Sequence, residues 1–348
     1  ALNGIVEAGP CVRTLQEDYD DEVEYQSLKK IYDLARNKEQ NPFFGIVSFT
    51  SPHTPFNVAQ KYWDLYNEKN INLPAVGPIP FDDLDYFSKS LFFAHGRHRH
   101  SITEDHILKT RQAYYGMISY VDAKVGRIID LLEETNQRDN TAIFFVSDHG
   151  EMLGQHGVRG KIAAWEESIK VPTLVYHPDL KKQQKCKSII SNIDLVPTML
   201  EFSGLDKDTI NTNYPELKGT SFANMVENVD HKNNRDNEGH LIHGVQIIPT
   251  VFNVAEKFRH IGLADSLIDK FKAFATKGNF LPDFSPPLNY KGVVDKRYKF
   301  IRYFSPRENN IPNTFAELSN NNASFQLYDL LNDPYEKGQI FHHNKYVS

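Results

Sequence analysis

Three positions carry side chains that could act together on an anionic substrate. In Asp148-His149-Gly150 a carboxylate and an imidazole stand side by side, and both can reach one divalent cation. Oxygen ligands suit Ca²⁺, Mg²⁺ or Mn²⁺, and a nitrogen ligand shifts the preference toward Mn²⁺ or Zn²⁺. Taken alone, so short a motif is more often an ordinary turn after a strand. Lys161 ends a glycine-containing loop with an ammonium suited to a sulfuryl or phosphoryl oxygen. His53 lies in another loop, where a purely structural histidine is the alternative interpretation.

Apolar runs predict the strands that must position these residues. Residues 42–50, 141–147 and 172–176 are short and almost continuously apolar, a pattern typical of buried strands. Between the first two, apolar residues recur at spacings of three and four after a capping box at 101–104, which predicts a long amphipathic helix ending near Glu134. Strand, long helix and strand favour a doubly wound, mainly parallel sheet flanked by helices.

The loops at one edge of this sheet are expected to hold the site. His53 follows the first predicted strand, and Asp148 and His149 follow the second. In open α/β sheets, ligands bind beyond the carboxyl ends of the strands. We therefore expect His53, Asp148, His149 and Lys161 to face one cleft.

The remaining sequence predicts a helix over 18–37 and a surface excursion over 70–100 that lacks a clear period. After about residue 235 the pattern changes, and we predict a smaller α+β subdomain. The chain is thus divided into a catalytic α/β part at 1–235 and a C-terminal subdomain at 236–348. The subdomain is expected to contain a helix at 253–276, an antiparallel strand at 292–304, and a short strand and turn at 327–334.

Composition excludes several classes of protein. With 348 residues and a net charge of -6, the chain is long enough for a sizeable core and has no bulk attraction for nucleic acid. Two cysteines exclude a disulfide framework, and no apolar run is long enough to span a membrane. Localisation stays open. The histidine-rich stretch 94–100 contains two arginines, so a solvated basic loop is preferred there over a metal site.

Longer stretches resemble a known family. Residues 147–161, followed by 165–172, are similar to the sulfatase signature S-D-H-G-x-x-L-G-x-x-G-x-x-x-K, then [FW]-E-x-S-x-[KR]-V-P. Agreement over about 25 residues is highly specific. The loop of His53, the D-x-x-P-T stretch 194–198 and the Leu-Tyr-Asp-Leu ending at 327–330 also resemble formylglycine-dependent (type I) sulfatases of the alkaline-phosphatase superfamily. Within that family, residues 9–35 and 101–126 look most like choline-sulfatase-type enzymes.

The resemblance implies an alkaline-phosphatase-like fold and a sulfuric ester hydrolase that releases sulfate from a small or carbohydrate sulfate ester. It implies that Asp148 and His149 bind one divalent metal ion, Ca²⁺ in first place and Mn²⁺ as the alternative. It assigns His53 to the bridging ester oxygen and Lys161 to the sulfuryl oxygens. Phosphonate monoester or phosphodiester hydrolysis is the alternative within the superfamily, and a non-catalytic fragment or partner subunit is the alternative outside catalysis.

The sequence also departs from the family. The nucleophile of the family is a Cys or Ser in C/S-x-P-S/A-R that becomes formylglycine, and neither Cys11 nor Cys186 lies in such a run. The expected pair of N-terminal aspartates is absent too, since Asp20-Asp21 is interpreted as surface charge at a helix start. We therefore predict an N-terminally incomplete α/β domain that is inactive alone, with formylglycine on a missing N-terminal segment. Its expected partners are a sulfate ester and either a complementing segment or a second copy.

Overall fold

The computed structural model describes residues 3–37, 41–67, 70–84, 87–88, 91–92, 100–158, 160–180, 183–228, 239–245, 289–304 and 324–343. The helices are α1 (Asn3–Val6), α2 (Leu15–Arg36), α3 (Gln60–Trp63), α4 (Glu104–Glu134), α5 (Glu166–Ile169), α6 (Leu195–Phe202), α7 (Lys207–Asn213) and α8 (Ala223–Glu227). The strands are β1 (Gly9–Cys11), β2 (Asn57–Ala59), β3 (Ile143–Val146), β4 (Thr173–Tyr176), β5 (His240–Val245), β6 (Asn289–Val294), β7 (Tyr298–Phe304), β8 (Ser324–Asp329) and β9 (Phe341–His343). None of the described helices is long and apolar enough to cross a membrane.

Helices α2 and α4 form the long pair of the N-terminal half. Thr14 caps α2 in a reciprocal capping box with Glu17. Thr103 caps α4, with His106 as its capping-box partner, so the predicted cap at 101–104 is displaced by two residues from the true one. Both helices fall within a few residues of their predicted bounds.

A buried ion cluster holds α2 against α4. The ammonium of Lys124 is almost fully inaccessible and contacts the carboxylates of Asp21 and Glu24. Arg127 also contacts Glu24, and the Tyr120 hydroxyl donates to Asp21 at 2.9 Å. A lysine in such a place is tolerated because its charge is fully paired.

The prediction of a buried strand at 42–50 is wrong in this structure. The segment has no strand pairing, and Phe44 and Ile46 are 72% and 79% exposed. A continuous apolar run becomes a buried strand only when neighbouring strands and covering helices are present. Among the described residues, no neighbouring strand pairs with 42–50.

The strands of the N-terminal part form two small sheets of opposite sense. Strands β1 and β2 pair in parallel. Strands β3 and β4 pair antiparallel, with Ile143 opposite Tyr176 and Val146 opposite Thr173. The predicted α/β class is confirmed, but strands β3 and β4 pair antiparallel rather than in parallel.

The C-terminal part contains a five-stranded antiparallel sheet in the order β5-β6-β7-β8-β9. The single strand expected over 292–304 is in fact the second half of β6, a turn at 295–297, and β7. Three consecutive charged residues, Asp295, Lys296 and Arg297, interrupt the alternation at the turn, and this signal was passed over in the prediction of one strand. The short strand and turn expected at 327–334 are confirmed by β8 and the turns that follow it. The helix expected at 253–276 lies outside the described residues.

The segment predicted as a surface excursion over 70–100 is partly buried. Phe87 and Leu91 are 2% and 3% exposed, and they pack in one core with Tyr290 and Tyr303 of the C-terminal sheet. Apolar residues that show no helical or strand period in the sequence are therefore part of the core of the C-terminal sheet. The domain boundary at 235/236 falls outside the described residues and stays a prediction.

Candidate functional site

The turn after β3 places Asp148 next to His149. Nδ1 of His149 lies 2.9 Å from the Gly150 carbonyl oxygen. A carbonyl oxygen only accepts, so this contact requires a proton on Nδ1 and leaves the lone pair of the neutral ring on Nε2. Nε2 lies 3.3 Å from Oδ2 of Asp148. Two electron-pair donors facing each other at this distance fit either a shared cation or an imidazolium.

Asn192 supports this turn from the far side. Its Nδ2 donates to the carbonyl oxygens of Ser147 at 2.9 Å and Asp148 at 3.3 Å. The Asp148 side chain itself is 83% exposed, so it remains free to bind a ligand.

Gly150 allows the turn to pack against the segment that begins α5. Its amide donates to the Ser168 carbonyl at 2.8 Å. A Cβ at position 150 would lie 3.0 Å from the carbonyl carbon of Glu167 and closer still to its oxygen. Glycine is required here because the backbone of Glu167 approaches it closely.

The loop that ends at Lys161 is tied to the turn through Glu151. The Gly160 amide donates to Oε1 of Glu151 at 2.5 Å, and the Met152 amide donates to the Gly160 carbonyl at 3.0 Å. Burial raises the pKa of Glu151, whereas the hydrogen bond from the Gly160 amide acts to lower it. These two bonds hold the backbone before Lys161 against the residues that follow the Asp148–His149 turn.

The backbone after Lys161 is held in an unusual conformation. Ile162 has φ of 73°, in the left-handed region that a β-branched residue rarely adopts. Its side chain packs against the core shared with the C-terminal sheet. Such a conformation persists only where the surroundings fix it, and it often marks a functional site.

His53 lies in a loop that α2 holds in place. Nδ1 of His53 contacts the Thr54 carbonyl at 2.7 Å and its amide donates to the Thr50 carbonyl at 3.1 Å. Asp20 is fully buried and accepts from the amides of Thr50 at 2.6 Å and Ser51 at 3.0 Å. The peptide bonds before Pro52 and Pro55 are cis.

The interpretation of Asp20-Asp21 as surface charge is therefore wrong. Asp20 holds the His53 loop, and Asp21 belongs to the ion cluster with Lys124. Carboxylates near a helix start are usually exposed. Asp20 is buried because it contacts the backbone of residues 50 and 51. Periodicity gave one signal, since Asp20 and Glu24 are one helical turn apart on the face that α4 covers.

The structure thus places Asp148 beside His149 and ties the Lys161 loop to the same turn through its backbone, and the hydrogen bonds of His53 stay within its own loop. Glu151 makes that tie and was missed in the sequence, where it occupies a variable position of the motif. Within the described ranges, no group of three or more His, Cys, Asp or Glu side chains is placed to hold a metal ion. Of the histidine-rich stretch 94–100, only His100 lies among the described residues.

A buried histidine stands behind the Lys161 loop. His156 is 1% exposed and stacks on Trp165, with ring centroids 4.6 Å apart and an interplanar angle of 11°. Burial lowers the pKa of His156 to about 4. The ring is therefore neutral at neutral pH and serves packing rather than charge.

The described helices and strands have an alkaline-phosphatase-like α/β fold. The phosphonate monoester hydrolase of Agrobacterium radiobacter has a similar fold, with a TM-score of 0.62 and 23% identity over 91% of this chain and 56% of that one. A sequence model of the family described as Sulfatase matches residues 6–205. The chain belongs to the sulfatase family.

Two curated relatives agree with this assignment. The choline-sulfatase of Rhizobium meliloti is 35% identical over 232 residues, which cover 66% of this chain and 44% of the relative. The arylsulfatase of Clostridium perfringens is 32% identical over 200 residues, which cover 56% of this chain and 39% of the relative. The chain spans less than half the length of these curated relatives.

Proposed function

We propose that the chain supplies part of the active site of a sulfuric ester hydrolase. The observation that carries the proposal is that Asp148 and His149 face each other after a strand end, while the bond from the Gly160 amide to Glu151 ties the loop of Lys161 to the same turn. A cationic group and a cation-binding pair in one place favour an anionic ester. The substrate we propose is a small sulfate ester or a sulfated carbohydrate.

Lys161 is proposed to neutralise the sulfuryl oxygens. An ammonium stabilises charge that develops on these oxygens without moving a proton. The left-handed backbone at Ile162 and the bonds between Gly160 and Glu151 fix where the Lys161 main chain lies. From that main-chain position, the flexible methylene chain of Lys161 would carry its ammonium to the sulfuryl oxygens.

His53 is proposed to assist the departing alcohol. Its contact with the Thr54 carbonyl places a proton on Nδ1 and directs Nε2 away from that carbonyl. In the imidazolium form, Nε2 can donate a proton or a hydrogen bond to the bridging ester oxygen. Asp20 would act indirectly, by holding the loop that carries His53.

Asp148 and His149 are proposed as two ligands of one divalent ion, Ca²⁺ in first place and Mn²⁺ as the alternative. The facing oxygen and nitrogen lone pairs fit such an ion, and the exposed Asp148 carboxylate is available to it. When bound, the ion would orient and polarise a sulfate oxygen. Hard cations need several oxygen ligands, so this pair alone should bind them weakly, which calorimetry with CaCl₂ measures.

The nucleophile is proposed to be a formylglycine on a complementing N-terminal segment. Apolar side chains of β3, β4 and the segment 42–50 are exposed to solvent, and a complementing segment would cover them. They are Phe43, Phe44, Ile46, Val47, Phe145, Val146 and Leu174. A second copy of this chain could cover the same residues, and light scattering of the chain with and without the segment distinguishes the two.

A substrate panel tests the proposed reaction. The active form should release sulfate from an aryl sulfate or choline sulfate faster than it cleaves a phosphonate monoester or a phosphodiester. The reverse order would assign it to the alternative activity, which the fold of the Agrobacterium radiobacter hydrolase makes worth including. Cleavage of none of these substrates would favour a non-catalytic partner chain.

A further inference from the structure

Lys299 is a fully buried charged residue outside the candidate site. It lies on β7 of the C-terminal sheet, and none of its side chain is exposed to solvent. Its ammonium contacts Oε1 of Glu336 at 2.7 Å and Oε1 of Glu166 at 2.8 Å, and it donates to the Ala164 carbonyl at 3.0 Å. A buried lysine with three oxygen partners is well compensated.

The partners of Lys299 converge on one short segment, residues 163–166. Oε2 of Glu336 accepts from the Glu166 amide at 2.9 Å. The Tyr290 hydroxyl donates to the Ala163 carbonyl at 3.3 Å. Three side chains of the C-terminal part thus bond to backbone atoms of residues 163, 164 and 166, in a segment that begins two residues after Lys161.

The same segment is tied to the Asp148–His149 turn. The Gly150 amide donates to the Ser168 carbonyl, and Glu151 accepts from the Gly160 amide. Between these two ties lies Ile162, whose left-handed φ of 73° requires support from outside the loop. The support is the core of the C-terminal sheet and, two residues further, the Lys299 cluster.

We propose that Lys299 is a positioning residue that fixes the 163–166 backbone and, through it, holds Lys161 in place relative to the Asp148–His149 turn. The effect on catalysis rests on the sulfatase function proposed above. Lys299 touches neither substrate nor metal in this account. Removing the Lys299–Glu336 pair from water costs desolvation free energy. The pKa of Glu336 reflects this cost, because burial raises it to about 7. An apolar pair would give equal stability, so the cost is explained if the pair serves to fix geometry.

The test separates position from stability. Lys299→Met leaves Glu336 buried without its cation and lowers stability, so the single variant does not separate a positioning role from a stabilising one. The double variant Lys299→Met with Glu336→Gln removes the two fully buried charges and leaves only Glu166, whose side chain is 20% exposed, without the ammonium, so it should unfold within a few degrees of the parent. Hydrogen exchange of the Gly150, Met152 and Gly160 amides should nevertheless be at least about tenfold faster. Exchange in α2 and α4 should not change. Lys291→Met, on the exposed side of the neighbouring strand β6, is the matched control.

Amide hydrogen exchange tests the positioning role of Lys299 without requiring an active enzyme. Parent-like exchange at 150–160 in the double variant would overturn it, as would faster exchange spread evenly over the whole protein. In the active form, kcat should fall by about tenfold to 100-fold with KM changed less. In the extended, formylglycine-bearing form, an active parent and an equally active double variant would overturn the positioning role alone, whereas an inactive extended parent with the expected exchange would count against the proposed function alone.

Discussion

Replacing Gly150 by alanine should force apart the two backbone segments that form the site. A Cβ there would lie 3.0 Å from the Glu167 carbonyl carbon, closer to its oxygen, and 3.5 Å from the Lys170 carbonyl oxygen. These are backbone atoms that cannot rotate away, so the main chain must move and lengthen the 2.8 Å bond between Gly150 N and Ser168 O. Overpacking costs about 1–3 kcal/mol and the hydrogen bond about 1 kcal/mol. We therefore expect Gly150→Ala to lower the free energy of unfolding by about 2–4 kcal/mol.

Urea denaturation followed by circular dichroism measures this loss. Gly126→Ala is the matched control, because Gly126 lies inside α4 and a Cβ there meets nothing within 4 Å. Alanine in a helix interior is favoured over glycine, so the control should gain up to about 1 kcal/mol. An unfolding midpoint of Gly150→Ala at or above that of the parent would show that the two segments are not packed as described.

Two further perturbations follow from buried charges. Lys124→Met leaves Asp21 and Glu24 without their shared cation and should cost about 3 kcal/mol in urea denaturation, whereas Lys109→Met, in an exposed pair with Asp105, should cost under about 0.5 kcal/mol; equal losses would contradict the burial of Lys124. Because burial lowers the pKa of His156 to about 4, below the unfolded value of 6.5, its stabilising contribution is complete above pH 6.5 and is lost as the pH falls toward 4. His156→Phe should keep the stack on Trp165 and remove a pH dependence on the order of 3 kcal/mol in that window; an unchanged pH profile would refute the neutral buried ring.

Local patterns of sequence predicted the parts of the fold that depend on local forces. The bounds of α2 and α4 follow from caps and apolar spacing, and Asp148-His149 lies at the end of a strand as its apolar run indicated. The turn between β6 and β7 was missed although three consecutive charged residues, 295–297, interrupt the alternation there.

Long-range contacts could not be predicted in this way. Asp20 is buried by the backbone of a loop thirty residues away, and Phe87 is buried by a sheet about two hundred residues further along the chain. Residues 42–50 have the composition of a buried strand, yet burial depends on partners that composition does not supply. The role of Glu151 became visible only when the structure joined its carboxylate to the Gly160 amide, next to Lys161.

The central claim is that this chain contributes a sulfatase half-site that requires a complementing N-terminal segment. The most direct measurement is sulfate release from an aryl sulfate and from choline sulfate by two proteins. One is the chain as given, and the other is the chain extended by an N-terminal segment bearing a C/S-x-P-S/A-R run and co-expressed with a formylglycine-generating enzyme. We expect no turnover by the chain alone, turnover by the extended form, and a loss of at least about 100-fold with Lys161→Ala. Robust turnover by the chain alone, abolished by Lys161→Ala, would place the nucleophile within these 348 residues and contradict the account.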